Sequence, residues 1–181
     1  MHVQTDRLTL REFSTSDVPS VYALESLPEV VRYQTWPPRT PAEASSVVHE
    51  IIANRSESPR QHVELAVELH DGAFLDLVGA WIDGGKGSLW FALMQEAWGR
   101  GYATEAMRAF IPLLGNVRLE IECDPRNTGS WKLAERLGFV REPLTERAEE
   151  VKGEWVDTVV YTMAAWSRTE NVVGHGTGTG P

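Results

Sequence analysis

The sequence predicts an α/β (α+β) fold: a mixed central sheet of about six or seven strands, antiparallel in its N-terminal part, flanked by about four helices. Three observations carry this. Residues 61–94 read as consecutive strands joined by glycine-containing turns, an antiparallel meander. Residues 88–110 read as strand, glycine turn and helix. Residues 117–137 repeat that order around an Asp-Pro turn. With 181 residues the chain suits one domain with a full core and is short for two. The expected division is a single domain over 1–168 and a flexible Gly/Thr-rich tail over 169–181.

Taken in order, Val3, Leu8 and Leu10 among polar neighbours predict a half-buried strand within 1–12. Ser16, ahead of Asp17-Val18-Pro19, reads as the N-cap of a helix whose apolar face is Val21, Tyr22, Leu24 and Leu27 and which stops at Pro28. Trp36-Pro37-Pro38-Arg39 is a loop, because two prolines forbid continuous backbone bonding. Thr40-Pro41-Ala42-Glu43 combines an N-cap, a first-position proline and a third-position acid. The helix it opens should run to about Arg55 and bury Ala44, Val47, Val48, Ile51 and Ile52. Val63, Leu65, Val67 and Leu69 alternate in a strand over 61–70. His70-Asp71-Gly72 turns the chain into 74–82, and Asp83 to Gly87 turns it into Ser88 to Met94.

Beyond the central helix, Pro112 and Gly115 break the helical run. A strand over 117–123, a turn at Asp124-Pro125-Arg126-Asn127 and a helix from Asn127 to Leu137 closed by Gly138 follow. Segments 139–145 and 155–165 are expected as closing strands, with 146–153 connecting them.

Bulk properties exclude several classes. A formal net charge of −9 argues against nucleic acid and favours a cationic ligand such as an amine. The single cysteine, Cys123, rules out an internal disulfide and points to a reducing compartment. No apolar run reaches the roughly 20 residues of a membrane span. The N-terminus does not read as a signal peptide, so the cytoplasm is expected and a membrane partner is not. The five histidines show no ligand spacing, and no metal is expected.

The chemistry concentrates at Gly99-Arg100-Gly101. Two glycines let the backbone fold back with its amides turned into a concave nest. A helix starting near Tyr102 adds unpaired N–H groups, and Arg100 adds a full charge, together a site for phosphate or pyrophosphate. A plain strand-to-helix turn accounts for the glycines equally well. The P-loop pattern fails, because Ala80 stands where the first glycine should precede Gly85-Lys86. The dinucleotide fingerprint fits Gly99-Arg100-Gly101-Tyr102-Ala103-Thr104 except at its last position, and Glu120 and Glu122 lie about twenty residues on. A dinucleotide-binding oxidoreductase therefore stays open, although an antiparallel meander precedes the motif.

The run Trp98-Gly99-Arg100-Gly101-Tyr102-Ala103-Thr104-Glu105-Ala106 resembles the GCN5-related N-acetyltransferase (GNAT) superfamily, in its RimJ/RimL-like branch of ribosomal-protein N-acetyltransferases. Thr5 to Arg11 resembles that branch's opening strand. Asn127-Thr128-Gly129-Ser130 followed by Leu137-Gly138-Phe139 resembles its second signature, and Gly153 to Asp157 with Tyr161 and Met163 its terminal strand. The likeness spans residues 5–166; it departs at Glu96, where the family motif carries Gln or Arg.

The resemblance implies transfer of an acetyl group from acetyl-coenzyme A to a primary amine by direct attack in a ternary complex. It implies cofactor contacts at Leu93, Trp98, Gly99, Arg100, Gly101, Tyr102, Ala103, Thr104 and Asn127. A strand splayed near Leu93 would aim a backbone N–H at the thioester carbonyl and offer its edge to the pantetheine amides. Ser130 would protonate the leaving thiolate, and Glu149 would take the proton of the incoming ammonium, with Glu120 and Glu122 as alternative bases. Tyr33 and Trp36, with Arg39, would touch the acceptor. Cys123 as an acyl carrier and a non-catalytic acyl-coenzyme A-binding module are the remaining alternatives. The acceptor is not legible: a protein N-terminus, an aminoglycoside, a polyamine and an amino acid all present amines. Oligomeric state is open, a homodimer included.

Overall fold

Alternation along the strands decides which face of the sheet each residue joins, and the two faces carry separate cores. The computed structural model describes residues 1–164, except for the side chains of Asp76 and of residues 147–149, so the expected tail lies outside the described residues. The strands are β1 (His2–Gln4), β2 (Leu8–Glu12), β3 (His62–Leu69), β4 (Phe74–Asp83), β5 (Lys86–Leu93), β6 (Arg118–Cys123), β7 (Val140–Arg141), β8 (Thr145–Val151) and β9 (Glu154–Met163). They lie in the order β1-β2-β3-β4-β5-β6-β9-β7, with β8 also paired to β9. Every pairing is antiparallel except β5 with β6.

The helices are α1 (Val18–Glu25), α2 (Pro41–Asn54), α3 (Tyr102–Phe110) and α4 (Thr128–Leu137). On one face α3 and α4 pack Met107, Phe110 and Leu133 against Leu8, Leu10, Leu65, Val78 and Ile121. On the other, α1 and α2 pack Val21, Leu24, Val48 and Ile51 against Phe13, Ala66 and Leu77. Each fully buried Leu or Phe contributes about 1.5–3 kcal/mol, so both layers are held from both sides.

The expected mixed sheet is present, and with nine strands it is larger than the sequence predicts, for two reasons. The strand expected over 1–12 breaks at Thr5–Arg7 into a hairpin, closed by Thr5 N–H donating to Leu8 O at 2.9 Å. The segment 146–153, expected as a connection, forms most of β8. Its Glu-rich sequence has no apolar alternation, and pairing with β9 supplies the order that composition does not. Conversely, β7 keeps only two residues of the strand expected over 139–145.

Helix starts follow the polar residues, with one shift. Thr40 Oγ1 accepts from Glu43 N–H at 3.3 Å while Glu43 Oε2 accepts from Thr40 N–H at 2.7 Å, the reciprocal cap expected. A 3-10 turn, Thr15–Asp17, precedes α1; Ser14 is the N-cap of that turn and Asp17 that of α1, so neither cap is Ser16. Asp17 accepts Ser14 N–H at 2.7 Å and both Arg11 Nη atoms at 2.8 Å, which pulls its carboxylate inward to 4% exposure. Burial would raise the Asp17 carboxyl, but the Arg11 and Ser14 hydrogen bonds outweigh it and hold it below the usual range.

One row across the sheet is unusual. Glu64, Gly79 and Trp90 are cross-strand neighbours on β3, β4 and β5. Gly79 has no side chain, so the Trp90 indole lies across it and donates Nε1–H to Glu64 at 3.1 Å. A Cβ on Gly79 would overlap that ring. Gly79→Ala should therefore lower the unfolding free energy by about 1–3 kcal/mol, read from denaturant midpoints; an unchanged midpoint would show that the indole does not need the glycine.

Candidate active site

The site begins where two strands part. β5 and β6 pair only over Lys86↔Arg118, Gly87↔Leu119 and Ser88↔Glu120, after which β5 continues to Leu93 and β6 to Cys123 without pairing. Met94 N–H donates to Leu75 O at 2.8 Å, which makes the adjoining Asp76/Leu93 pair a non-bonded one in the β4–β5 ladder. The N–H and C=O of Leu93, and by the same alternation of Phe91, thus turn away from β4 toward the opening. Trp98 Nε1–H caps the Leu93 carbonyl at 2.9 Å. A cleft of about 490 Å³ fills the opening, with Phe91, Leu93 and Ala103 on one side and Asn127, Ser130 and Leu133 on the other.

A wider cavity of about 820 Å³ continues from it over the first turn of α3, both sharing Leu93, Gly99, Ala103 and Arg136. Gly99 and Gly101 have φ of 73° and 80°, values that favour glycine, and Gly101 is the N-cap of α3. A Cβ on Gly99 would meet nothing within 4 Å, so conformation rather than space requires glycine there. The leading amides of α3, at Tyr102, Ala103 and Thr104, have no intrahelical partner by position. They carry the positive end of the helix toward the cavity that these three residues line.

The family model described as Acetyltransferase (GNAT) domain matches residues 7–140. The chain belongs to the GNAT acetyltransferase family. It is 28% identical over 166 residues to the uncharacterized N-acetyltransferase p20 of Bacillus licheniformis, covering 88% of this chain and 93% of the relative. Its fold is RimJ/RimL-like. RimL, a ribosomal L7/L12 α-N-protein acetyltransferase solved in complex with coenzyme A, superposes with a TM-score of 0.81 at 18% identity, over 91% of this chain and 98% of that one. The Microcin C7 self-immunity acetyltransferase MccE, solved with acetyl-CoA and AMP, gives 0.78 at 22% identity, over 88% and 93%. The dinucleotide alternative is set aside, since the glycine turn of this GNAT domain follows an antiparallel run rather than the first strand of a βαβ unit.

Within the GNAT fold the expected residues divide clearly. Leu93, Gly99, Gly101, Tyr102, Ala103 and Thr104 line the wide cavity, and Leu93, Trp98, Gly99, Ala103, Asn127 and Ser130 line the cleft. Arg100 lines neither; its side chain is exposed and its carbonyl accepts from Arg7 Nη1 at 3.0 Å. The cationic side chains of the wide cavity are instead Arg7, which is paired with Glu105, and Arg108 and Arg136, with Asp6 and Glu105 as its acids; sequence reasoning missed these three arginines. Arg108 had a visible signal, standing one helical turn after Thr104; Arg7 and Arg136 arrive only through tertiary packing.

Asn127 is the N-cap of α4, its Oδ1 accepting Ser130 N–H at 3.2 Å. Ser130 is therefore not the cap, and its hydroxyl is hydrogen-bonded to the Cys123 thiol. Burial pushes that thiol up, and neighbouring Asp124 and Glu122 add to the effect against Ser130, which keeps Cys123 protonated and disfavours it as a nucleophile.

Tyr33 lines the cleft and its hydroxyl donates to Arg126 O at 3.4 Å. Trp36 lines a different cavity, with Arg39 over its ring. Glu120 accepts from Ser88 Oγ at 3.0 Å, and both Glu120 and Glu122 alternate with Leu119 and Ile121, facing the α1–α2 side. Glu149 belongs to β8 opposite Val156; its side chain lies outside the described residues. Among the described residues no group of His, Cys, Asp and Glu is arranged to hold a metal ion, and no helix is long and apolar enough to cross a membrane.

The first turn of α3 is tied to the N-terminal hairpin through Glu105. Its carboxylate accepts Thr5 Oγ1 and Arg7 Nε at 2.6 Å each and Arg7 N–H at 3.0 Å, while the Arg7 guanidinium covers the Tyr102 ring at 4.5 Å. Burial raises the Glu105 carboxyl, but these donors outweigh it and hold it below the usual range. A depressed carboxyl stabilises the fold above its unfolded value of about 4.3 and loses that contribution as pH falls through the folded one. The stability advantage of the unmodified protein over Glu105→Gln should thus be constant above about pH 5 and shrink in stronger acid, as read by urea unfolding across pH. A difference independent of pH would mean the carboxylate charge plays no part.

Proposed function

We propose that the chain moves the acetyl group of acetyl-coenzyme A onto a primary amine, which attacks directly while both are bound. Acetyl-coenzyme A is the co-substrate of the family, and the residues present fit it. One observation carries the reading. The outward amide of Leu93 stands at the mouth of an unpaired strand edge, with a glycine nest at one end of the cleft and a buried hydroxyl, Ser130, on its far wall.

Each group then has a task. Main-chain amides of residues 99–104 receive the diphosphate, with Arg108 and Arg136 neutralising charge around it while Arg7 is held by Glu105. The Phe91 and Leu93 edge takes the pantetheine amides as an added strand would. Leu93 N–H donates to the carbonyl oxygen as negative charge builds there. Ser130, already bonded to one sulfur, gives its hydrogen bond to the departing thiolate, and Asn127 fixes it by capping its helix. The ammonium proton passes to Glu149 on β8, with Glu120 and Glu122 as alternatives. Tyr33 contributes to the acceptor's entrance. The transferase domain is taken as 1–168, working in the cytoplasm.

Thiol release measured across a panel of amines and N-terminal peptides tests the reading. Turnover with at least one acceptor is expected, and Ser130→Ala should lower kcat by about 10²-fold or more with little change in acetyl-coenzyme A affinity by calorimetry. Cofactor binding with no turnover on any amine would make the protein a binding module. An undiminished rate in Ser130→Ala would remove that hydroxyl from the chemistry.

A further inference from the structure

A separate cavity of about 360 Å³ lies on the α1–α2 side of the sheet, and it meets the cofactor cleft at Gln34 and Ala92, which line both. Trp36 and Trp90 wall it, and its charged or titratable groups are Glu25, Glu50, Glu64, Arg39 and His62. Arg39 is committed: it pairs with Glu25 and stacks 4.9 Å from the Trp36 ring centre. Burial pushes the Glu25 carboxyl up beyond what Arg39 recovers, and the nearby Glu64 charge adds to it. Glu64, only 6% exposed, receives Trp90 Nε1–H at 3.1 Å and faces His62 Nε2 at 3.3 Å, while Asn54 holds the other ring nitrogen of His62 at 2.6 Å. Trp36 Nε1 is buried without a hydrogen-bond partner. The Glu64 contact raises His62 above its ordinary value, yet three carboxylates still outnumber Arg39 and His62, so the cavity joins two indoles to a net negative lining suited to a cation.

Its position excludes the reacting amine as that cation. Glu64 stands in the row of Trp90, and Leu93 lies three residues further along β5. At about 3.3 Å per residue along β5 and about 4.8 Å for each of the two strand steps across to β3, the two backbones are roughly 14 Å apart, so a nitrogen attacking beside Leu93 N–H does not reach Glu64.

We infer that this cavity receives a second cationic group of the acceptor, several bonds from the amine being acetylated, with Glu64 as its counter-ion and Trp36 and Trp90 as its walls. The inference rests on the acetyl-transfer reading and narrows its acceptor class. A linear diamine and a peptide whose N-terminal amine is followed by Lys both present this chemistry.

The test compares kcat/KM for linear diamines of increasing length with monoamines of equal length. In parallel it compares peptides with Lys against Leu at the second position. The unmodified protein should favour the dicationic member of at least one series by about tenfold or more, mainly through KM, with the favoured series naming the source. Glu64→Gln should erase the preference while acetyl-coenzyme A binding by calorimetry stays intact; Trp36→Leu serves as a second variant should Glu64→Gln fail to fold. Equal kcat/KM within both series, or a preference that survives in a folded Glu64→Gln, would overturn the inference while leaving acetyl transfer standing. Absence of acetyl-coenzyme A binding in the unmodified protein would overturn both.

Discussion

The pairing between β5 and β6 ends after Ser88↔Glu120, and the site follows from that one interruption. A strand edge inside a sheet normally spends its N–H and C=O groups on a neighbour. Here β6 leads away to α4, β5 leads to the glycine loop and α3, and the outward groups of Phe91 and Leu93 face a cleft instead. An open edge is a liability unless something covers it. Trp98 satisfies the Leu93 carbonyl, and the rest of the edge is left for an extended ligand. The proposed binding surface, oxyanion donor and acceptor access thus share one structural cause.

Holding such an opening at fixed width demands ties across it. Glu105 binds α3 to the Thr5–Arg7 turn, which fixes the end of the cavity beside the glycine loop. At the other end Lys152, in the turn between β8 and β9, donates to Val31 O at 2.6 Å, and Arg126 bonds both Asp124 and Glu154. These contacts gather the α1–α2 loop, the hairpin and the start of α4 around the cleft. The groups proposed to act on the substrate stand on regular elements, Leu93 ending a strand and Ser130 in the first turn of a helix, where packing fixes them better than a loop does.

Much of this was legible in the chain, wherever the signal was local. Thr40 to Glu43 announces its own cap, Asn127 and Gly138 bracket α4, and Gly99 and Gly101 occupy the backbone conformations that the nest requires. What stayed hidden depends on partners distant in sequence. β8 has no apolar alternation and is a strand because β9 is beside it. Ser14 and Asp17 displace Ser16 as caps because Arg11 draws Asp17 inward. Arg7 and Arg136 line the same cavity from other elements, while Arg100, between the two glycines, is exposed and lines neither cavity. Tyr33 and Trp36, three residues apart, fall into different cavities. Gly79 reads as an ordinary strand glycine until Trp90 is seen lying over it.

The most direct measurement is a crystal structure of the protein with coenzyme A. The expected result is a diphosphate held by the amides of residues 99–104, pantetheine running along Phe91 and Leu93, and the thiol between Leu93 N–H and Ser130 Oγ. Coenzyme A bound elsewhere, or β5 and β6 zipped together beyond Ser88, would contradict the idea that a parted strand pair is what makes this fold an enzyme.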